Sequence, residues 1–261
     1  MTEAAQAGGF RALFRRIAQD RNSSLIAAVL LLLVVAGAAV LLFASRGVQR
    51  GSILASDPDR ARIERIVHDY ILAHPEIIPE AVKALQSRDL AKAIEANRAA
   101  IETPFGSAWA GAEKGDVVLV EFFDYACPYC RASNADVARL LSEDKGLKVV
   151  WRELPVLGDA SVVAARVSLA AAKQGRFKAF HDNMYAAGRP DPQTVRTAQQ
   201  AAGIAPAPPD EFSAELDKNY QLARMLNATG TPTWVVGDKV LEGAVGYGAL
   251  KAAIDEARSR S

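Results

Sequence analysis

Cys127 and Cys130 are the only cysteines among 261 residues, and just two residues separate them. A pair so placed lends itself to thiol–disulfide exchange. One sulfur attacks a disulfide, a mixed disulfide forms, and the second sulfur resolves it. The motif ends the stretch Val117–Cys130, VVLVEFFDYACPYC. Its second half, Cys127-Pro128-Tyr129-Cys130, is expected to open a helix that continues through Arg131–Leu141. Unpaired backbone N–H groups and the helix dipole stabilise a negative charge at such a start. Cys127 is therefore read as the exposed nucleophile, and Cys130, one turn deeper, as the resolving thiol. Pro128 suits a first-turn position, where its missing N–H is not needed. Tyr129, between the thiols, is expected to influence their potential. Other uses of the pair fit less well. A zinc site wants four ligands, and two cysteines with three scattered histidines make no such set. A structural bridge here would close a very short loop and gain little.

The elements that must position the pair can be read outward from it. Val117–Phe123 is continuously apolar, as a central strand buried on both faces would be. Glu121 is the exception. A buried carboxylate is costly, and burial raises its pKa, which would make Glu121 a proton acceptor beside the thiols. The alternative is a glutamate turned to an exposed edge. Lys148–Glu153 reads as a second strand, parallel to the first because a helix connects them. Helices are expected over Ala160–Gln174, from Phe177 onward, over Pro190–Ala202 and over Phe212–Asn227, with a loop at Gly203–Pro209. His181 is read as a packed helix residue. Trp234–Val236 and Lys239–Glu242 form a hairpin around Gly237-Asp238, headed by Pro232. Gly248–Ala257 closes the chain as a helix, and Thr103–Gly115 is a lead-in loop.

This is an α/β order of strand, cysteine-bearing helix, strand, helical block, hairpin and helix. It resembles the DsbA-like thiol–disulfide oxidoreductases over residues 104–261, with the motifs EFFDYACPYC, TGTPTWVVG and EGAVGYGAL. The resemblance implies a thioredoxin fold with a helical insertion at about 158–227. It implies that the Thr231–Pro232 bond is cis, lies against the cysteine pair and pairs with substrate backbone. It places a buried acid at Glu121, and the redox-active Cys127–Cys130 disulfide is the only redox group it calls for. The segment DPDRARIERIVHDYILAHPEIIPEAVKAL is similar to the amino-terminal region of the suppressor-of-copper-sensitivity branch. Members of that branch oligomerise through this region, an arrangement expected of isomerases rather than simple oxidases.

The amino-terminal part sets the compartment. Leu25–Ala44 holds twenty residues with no charged or polar side chain. As a helix it would be about 30 Å long, enough to cross a bilayer core. A signal peptide is the alternative, but its apolar region is normally shorter, and Ala44 and Ala55 are weak cleavage positions. Arg11, Arg15, Arg16 and Arg21 precede the span, against Arg46 and Arg50 after it. The positive-inside rule then leaves residues 1–24 as a cytoplasmic tail, 25–44 as a single-pass anchor in the cytoplasmic membrane, and the rest in the periplasm or another extracytoplasmic space. Residues 45–103 read as a tether and a helical segment. Asp57-Pro58 is a helix start, and Ile63, Ile66, Val67, Tyr70 and Ile71 share one face. A second helix runs from near Pro79 to Glu102. Residues 57–102 have little core of their own, so self-association is expected there.

The balance of 31 basic and 30 acidic residues offers no basic face for nucleic acid. The expected partners are cysteine-containing exported proteins and a membrane redox partner, since disulfides persist outside the cytoplasm. The sequence reads as a membrane-anchored thiol–disulfide oxidoreductase. One rival is a copper(I)-binding protein using the same soft thiolates. Another is a chaperone-like scaffold that would survive loss of both thiols.

Overall fold

The computed structural model describes residues 30–41, 58–206 and 211–260. Of the apolar span Leu25–Ala44, residues 30–41 are described, and they are helical with exposed side chains. The rest of the span, the arginines beside it and Asp57 lie outside the described residues. Among the described residues no helix is long and apolar enough to cross a membrane.

The chain divides into two compact units, Met1–Pro79 and Glu80–Ser261. In the first, α1 (Pro58–Ala73) carries the expected apolar face. Ile63, Ile66, Val67 and Tyr70 on that face are all at least half exposed. His74 N–H still closes on the Tyr70 carbonyl at 2.8 Å. The chain then breaks at Pro75, and α2 (Ile77–Glu102) begins. Pro79 falls in its first turn, where a missing N–H costs nothing.

The second unit is built on a five-stranded sheet in the order β1-β3-β2-β4-β5. The strands are β1 (Trp109–Gly111), β2 (Val117–Phe123), β3 (Leu147–Glu153), β4 (Thr233–Val236) and β5 (Lys239–Glu242). β2 is central and pairs parallel with β3 and antiparallel with β4. The parallel pair is joined by α3 (Pro128–Glu143), as the connection rule requires. Between β3 and β4 lie α4 (Asp159–Lys173), α5 (Phe177–Ala187), α6 (Pro192–Ala201) and α7 (Ser213–Met225), and α8 (Gly246–Arg260) ends the fold. The one strand not expected from sequence is β1, in the lead-in loop. Its three residues pair antiparallel with β3, and a stretch so short shows no usable alternation.

Alternation along β2 sorts its side chains onto two cores. Leu119 and Phe123 point to one face, among Val137 and Leu140 of α3, Phe180 of α5 and Leu250 of α8. Val120 and Phe122 point to the other, against Leu222 and Leu226. Ile94 and Ile101 of α2 are fully buried in that second core. The thioredoxin-like unit therefore begins near Glu80 rather than at residue 104. The later half of the helix read as stalk is part of its core.

Arg152 secures that half. It projects from β3 with 1% of its side chain exposed. Its Nε donates to the Ile101 carbonyl at 2.7 Å, and Nη2 donates to the carbonyls of Ala100 and Thr103. These belong to the helix end, where carbonyls lack intrahelical partners. Nη1 donates to Asn219 Oδ1 of α7 at 2.9 Å. One guanidinium thus ties β3, α2 and α7 together. Arg152→Ala should lower the unfolding free energy by about 3–5 kcal/mol, as loss of a buried charged partner does. Chemical denaturation of the two proteins measures it.

Candidate active site

The turn after β2 delivers the cysteines. Cys127 is the N-cap of α3, and Pro128 occupies the first turn. Asp124 shapes the turn: its Oδ1 accepts from Ala126 N–H at 2.8 Å, an Asx turn, and its carbonyl accepts from Cys127 N–H at 3.0 Å. Its Oδ2 accepts from both Val156 and Leu157 N–H at 2.9 Å. The cysteine turn and the loop after β3 are therefore held by a single carboxylate.

Both thiols are free and buried. Cys127 is 4% exposed, which corrects the expectation of an exposed nucleophile. The reason is the turn before β4, where the Thr231–Pro232 bond is cis. Cys127 Sγ donates to the Thr231 carbonyl at 3.1 Å. The surface at the motif is supplied by Tyr129, at 63% exposure, and by Pro128. Cys130 is fully buried, and burial followed by the charge of Glu121 drives its pKa far above the thiol range.

Glu121 is at 1% exposure, so the edge alternative is excluded. It stands opposite Trp151 in the β2–β3 ladder and opposite Trp234 in the β2–β4 ladder. The Trp151 indole N–H donates to Oε2 at 2.9 Å. Among the described residues Oε1 has no hydrogen-bond partner. Burial lifts the carboxyl to a pKa of about 8, the indole bond opposes this, and charge at Cys127 adds to it. His181 lies among Phe123, Tyr125, Trp151 and Tyr185, with ring centroids 4.9–5.8 Å away. Burial holds its pKa down to about 3, so it is neutral, as a packed residue should be.

Sequence reading had singled out Cys127, Pro128, Tyr129, Cys130, Glu121, Thr231 and Pro232. The structure brings Cys127, Cys130, Glu121 and Thr231 into one neighbourhood. It adds Trp151 and Asp124. The Asx signal for Asp124 was present in FFDYAC, but the partner of Glu121 depended on a register that the sequence does not carry. A cleft of about 380 Å³ is at the far end of the sheet by Val117 and Val236. Charged pairs such as Arg98–Asp238 and Lys239–Glu256 line it, remote from the thiols.

Comparison with known proteins accords with this geometry. Residues 118–255 match the DSBA-like thioredoxin domain. The chain belongs to that family. Residues 59–92 match the N-terminal domain of the copper resistance protein ScsC. A periplasmic thioredoxin-like protein from Salmonella enterica serovar Typhimurium is 30% identical, with a TM-score of 0.58 over 62% of this chain and 95% of that one. A Proteus mirabilis ScsC linker-deletion mutant is 28% identical, with a TM-score of 0.64 over 77% of this chain and 96% of that one. The Bacillus subtilis disulfide bond formation protein D is 27% identical over 56% of this chain and 74% of its own length. The chain spans only 24% of two Salinispora sodium/proton antiporters that it also matches.

The position of Glu121 in this DSBA-like domain has a measurable cost. Its folded pKa, about 8, lies above the ordinary 4.5 of an unfolded glutamate. Below pH 4.5 both states are protonated and the group contributes nothing. As pH rises to about 8 the unfolded chain ionises and the folded one does not, so the native state loses stability. Glu121→Gln should be more stable than the parent above pH 4.5. The gain should grow to at most about 5 kcal/mol and level off above pH 8. Denaturant unfolding across pH tests this, and parallel curves for the two proteins would contradict it.

Proposed function

We propose that this chain is a membrane-tethered thiol–disulfide oxidoreductase that exchanges disulfides with exported proteins. The observation that carries the reading is Cys127 at a helix start, bonded to the Thr231 carbonyl beside a cis proline, with Glu121 buried behind it. Cys127 as thiolate attacks a substrate disulfide; that bond breaks, and the leaving sulfur takes the electron pair and a proton. Cys130 then gives up its proton, for which Glu121 is the acceptor, and attacks the Cys127 sulfur. The Cys127–Cys130 disulfide closes and the second substrate thiol departs. The reverse sequence oxidises substrate. Thr231 and Pro232 hold the substrate backbone, while Pro128 and Tyr129 border the reacting sulfur.

The anchor at Leu25–Ala44, a catalytic unit outside the cytoplasm and a membrane redox partner complete the proposal. They rest on the length of the apolar span and the placement of arginines. Self-association through residues 57–102 is supported by the exposed apolar face of α1 and by the match to the ScsC N-terminal domain. Such an assembly favours isomerisation over simple oxidation. The ScsC match also keeps a second reading, copper(I) held by the same two thiols.

Cys127→Ser should abolish insulin reduction and the refolding of scrambled ribonuclease, and Cys130→Ser should accumulate mixed disulfides. Tight stoichiometric copper(I) binding by a parent inactive in both assays would favour the second reading instead. Fractionation should leave the full-length chain in the membrane, with sedimentation of the detergent-solubilised protein showing an oligomer that Ile66→Asp dissociates. Release of a processed protein starting after residue 44 would sink the anchor.

A further inference from the structure

The exchange chemistry above uses one buried acid, yet the same face of the sheet carries another. Glu153 is 3% exposed at the end of β3. It stands opposite Phe123 in the β2–β3 ladder, two positions beyond the Glu121–Trp151 pair. Both glutamates fall on the face that carries Trp151, Phe123 and the cysteines. Strand rise and strand spacing put their backbones about 8 Å apart.

The two carboxyls have similar surroundings. One oxygen of Glu121 takes the Trp151 N–H. The Ser168 side chain of α4 lies beside Glu153 and favours its ionised form. Ser168 Oγ lies 2.9 Å from the hydroxyl of Tyr125, two residues before Cys127. The remaining oxygen of each, Oε1, is buried with no hydrogen-bond partner among the described residues. Unpaired buried oxygens are costly and uncommon. Two of them on one face beside a dithiol require an explanation.

We propose that Glu121 and Glu153 form a coupled carboxyl pair sharing one ionisable charge, with Glu153 as the positioning residue that sets whether Glu121 can take the Cys130 proton. Two like charges at this separation in a buried site cannot both form cheaply. When Glu153 is ionised, Glu121 keeps its proton. When Glu153 is protonated, Glu121 is free to ionise and accept. No bond other than O–H and S–H changes: a proton leaves Cys130 Sγ, Glu121 receives it, and Glu153 keeps its own. The groups facing Glu153 are Glu121 and Asp124 on β2 and its turn, Tyr125, Ser168 on α4, and neutral His181 and Tyr185 on α5. None of these six brings a positive charge that would relieve the pair. Burial moves both carboxyls upward, and charge on Glu121 raises Glu153 further.

The inference rests on the oxidoreductase reading for its purpose, but its test does not. Infrared titration of carboxyls in the full-length reduced protein follows protonation without turnover. In the parent, two buried carboxyl bands should titrate as a pair. In Glu153→Gln one band should vanish, and the Glu121 midpoint should fall by about one pH unit. The pH profile of the reduction potential should move with it, and Glu153→Asp should restore much of the parent behaviour. An unmoved Glu121 midpoint in Glu153→Gln overturns the coupling. If that variant fails to fold, Ser168→Ala removes the hydroxyl that favours ionised Glu153. Its Glu153 band should then titrate at higher pH, and an unchanged band overturns the proposal. Coupled bands in a protein without insulin-reducing activity would leave the pair standing and reject the oxidoreductase reading.

Discussion

A carboxyl in the central strand of a sheet covered on both faces is the constraint on which the site depends. β2 has no solvent face, so Glu121 has nowhere to go but into a core. Strand alternation decides which one: it shares its face with Leu119 and Phe123, and hence with the cysteine helix. Apolar packing would be more favourable at this position taken alone. What the glutamate provides is an acid poised near neutrality, in contact with an indole and within reach of two thiols. In the proposed exchange, stability is lost at the point where a proton is transferred.

Around that acid the fold acts as a frame. The parallel β2–β3 pair forces a helical crossover, and the crossover helix begins with Cys127. Asp124 ties the turn to the loop after β3, so the sulfur cannot shift without that loop. The β4 strand returns beside β2 and brings the Thr231 carbonyl against Cys127 from a distance of 104 residues in sequence. On the opposite face Arg152 fastens α2 and α7 beneath the sheet. The cysteines therefore sit on elements fixed from both sides.

Much of this was legible in the chain. Long periodic or continuously apolar segments gave β2 and β3 and the order of the helices, because each such pattern is local. The cysteine spacing and its place after a strand pointed to redox chemistry, and the motifs around Thr231 and Pro232 to the return strand. Legibility failed where the cause was not local. β1 is too short to show alternation. The burial of Ile94 and Ile101 depends on which surface their helix meets, so that helix passed for stalk. The shielding of Cys127 comes from a turn far away in sequence. Trp151 meets Glu121 only through register, and Glu153 joins the same face for the same reason.

The bond from Trp151 to Glu121 has a further consequence. An indole is a fluorophore whose emission responds to nearby charge and to sulfur quenchers. Trp151 is 4% exposed, and its N–H is committed to the Glu121 carboxyl. Trp234 is also buried, but its N–H donates to the Gly243 carbonyl at 3.0 Å. Trp151 is thus the indole hydrogen-bonded to the site, and its emission can be followed with no label added.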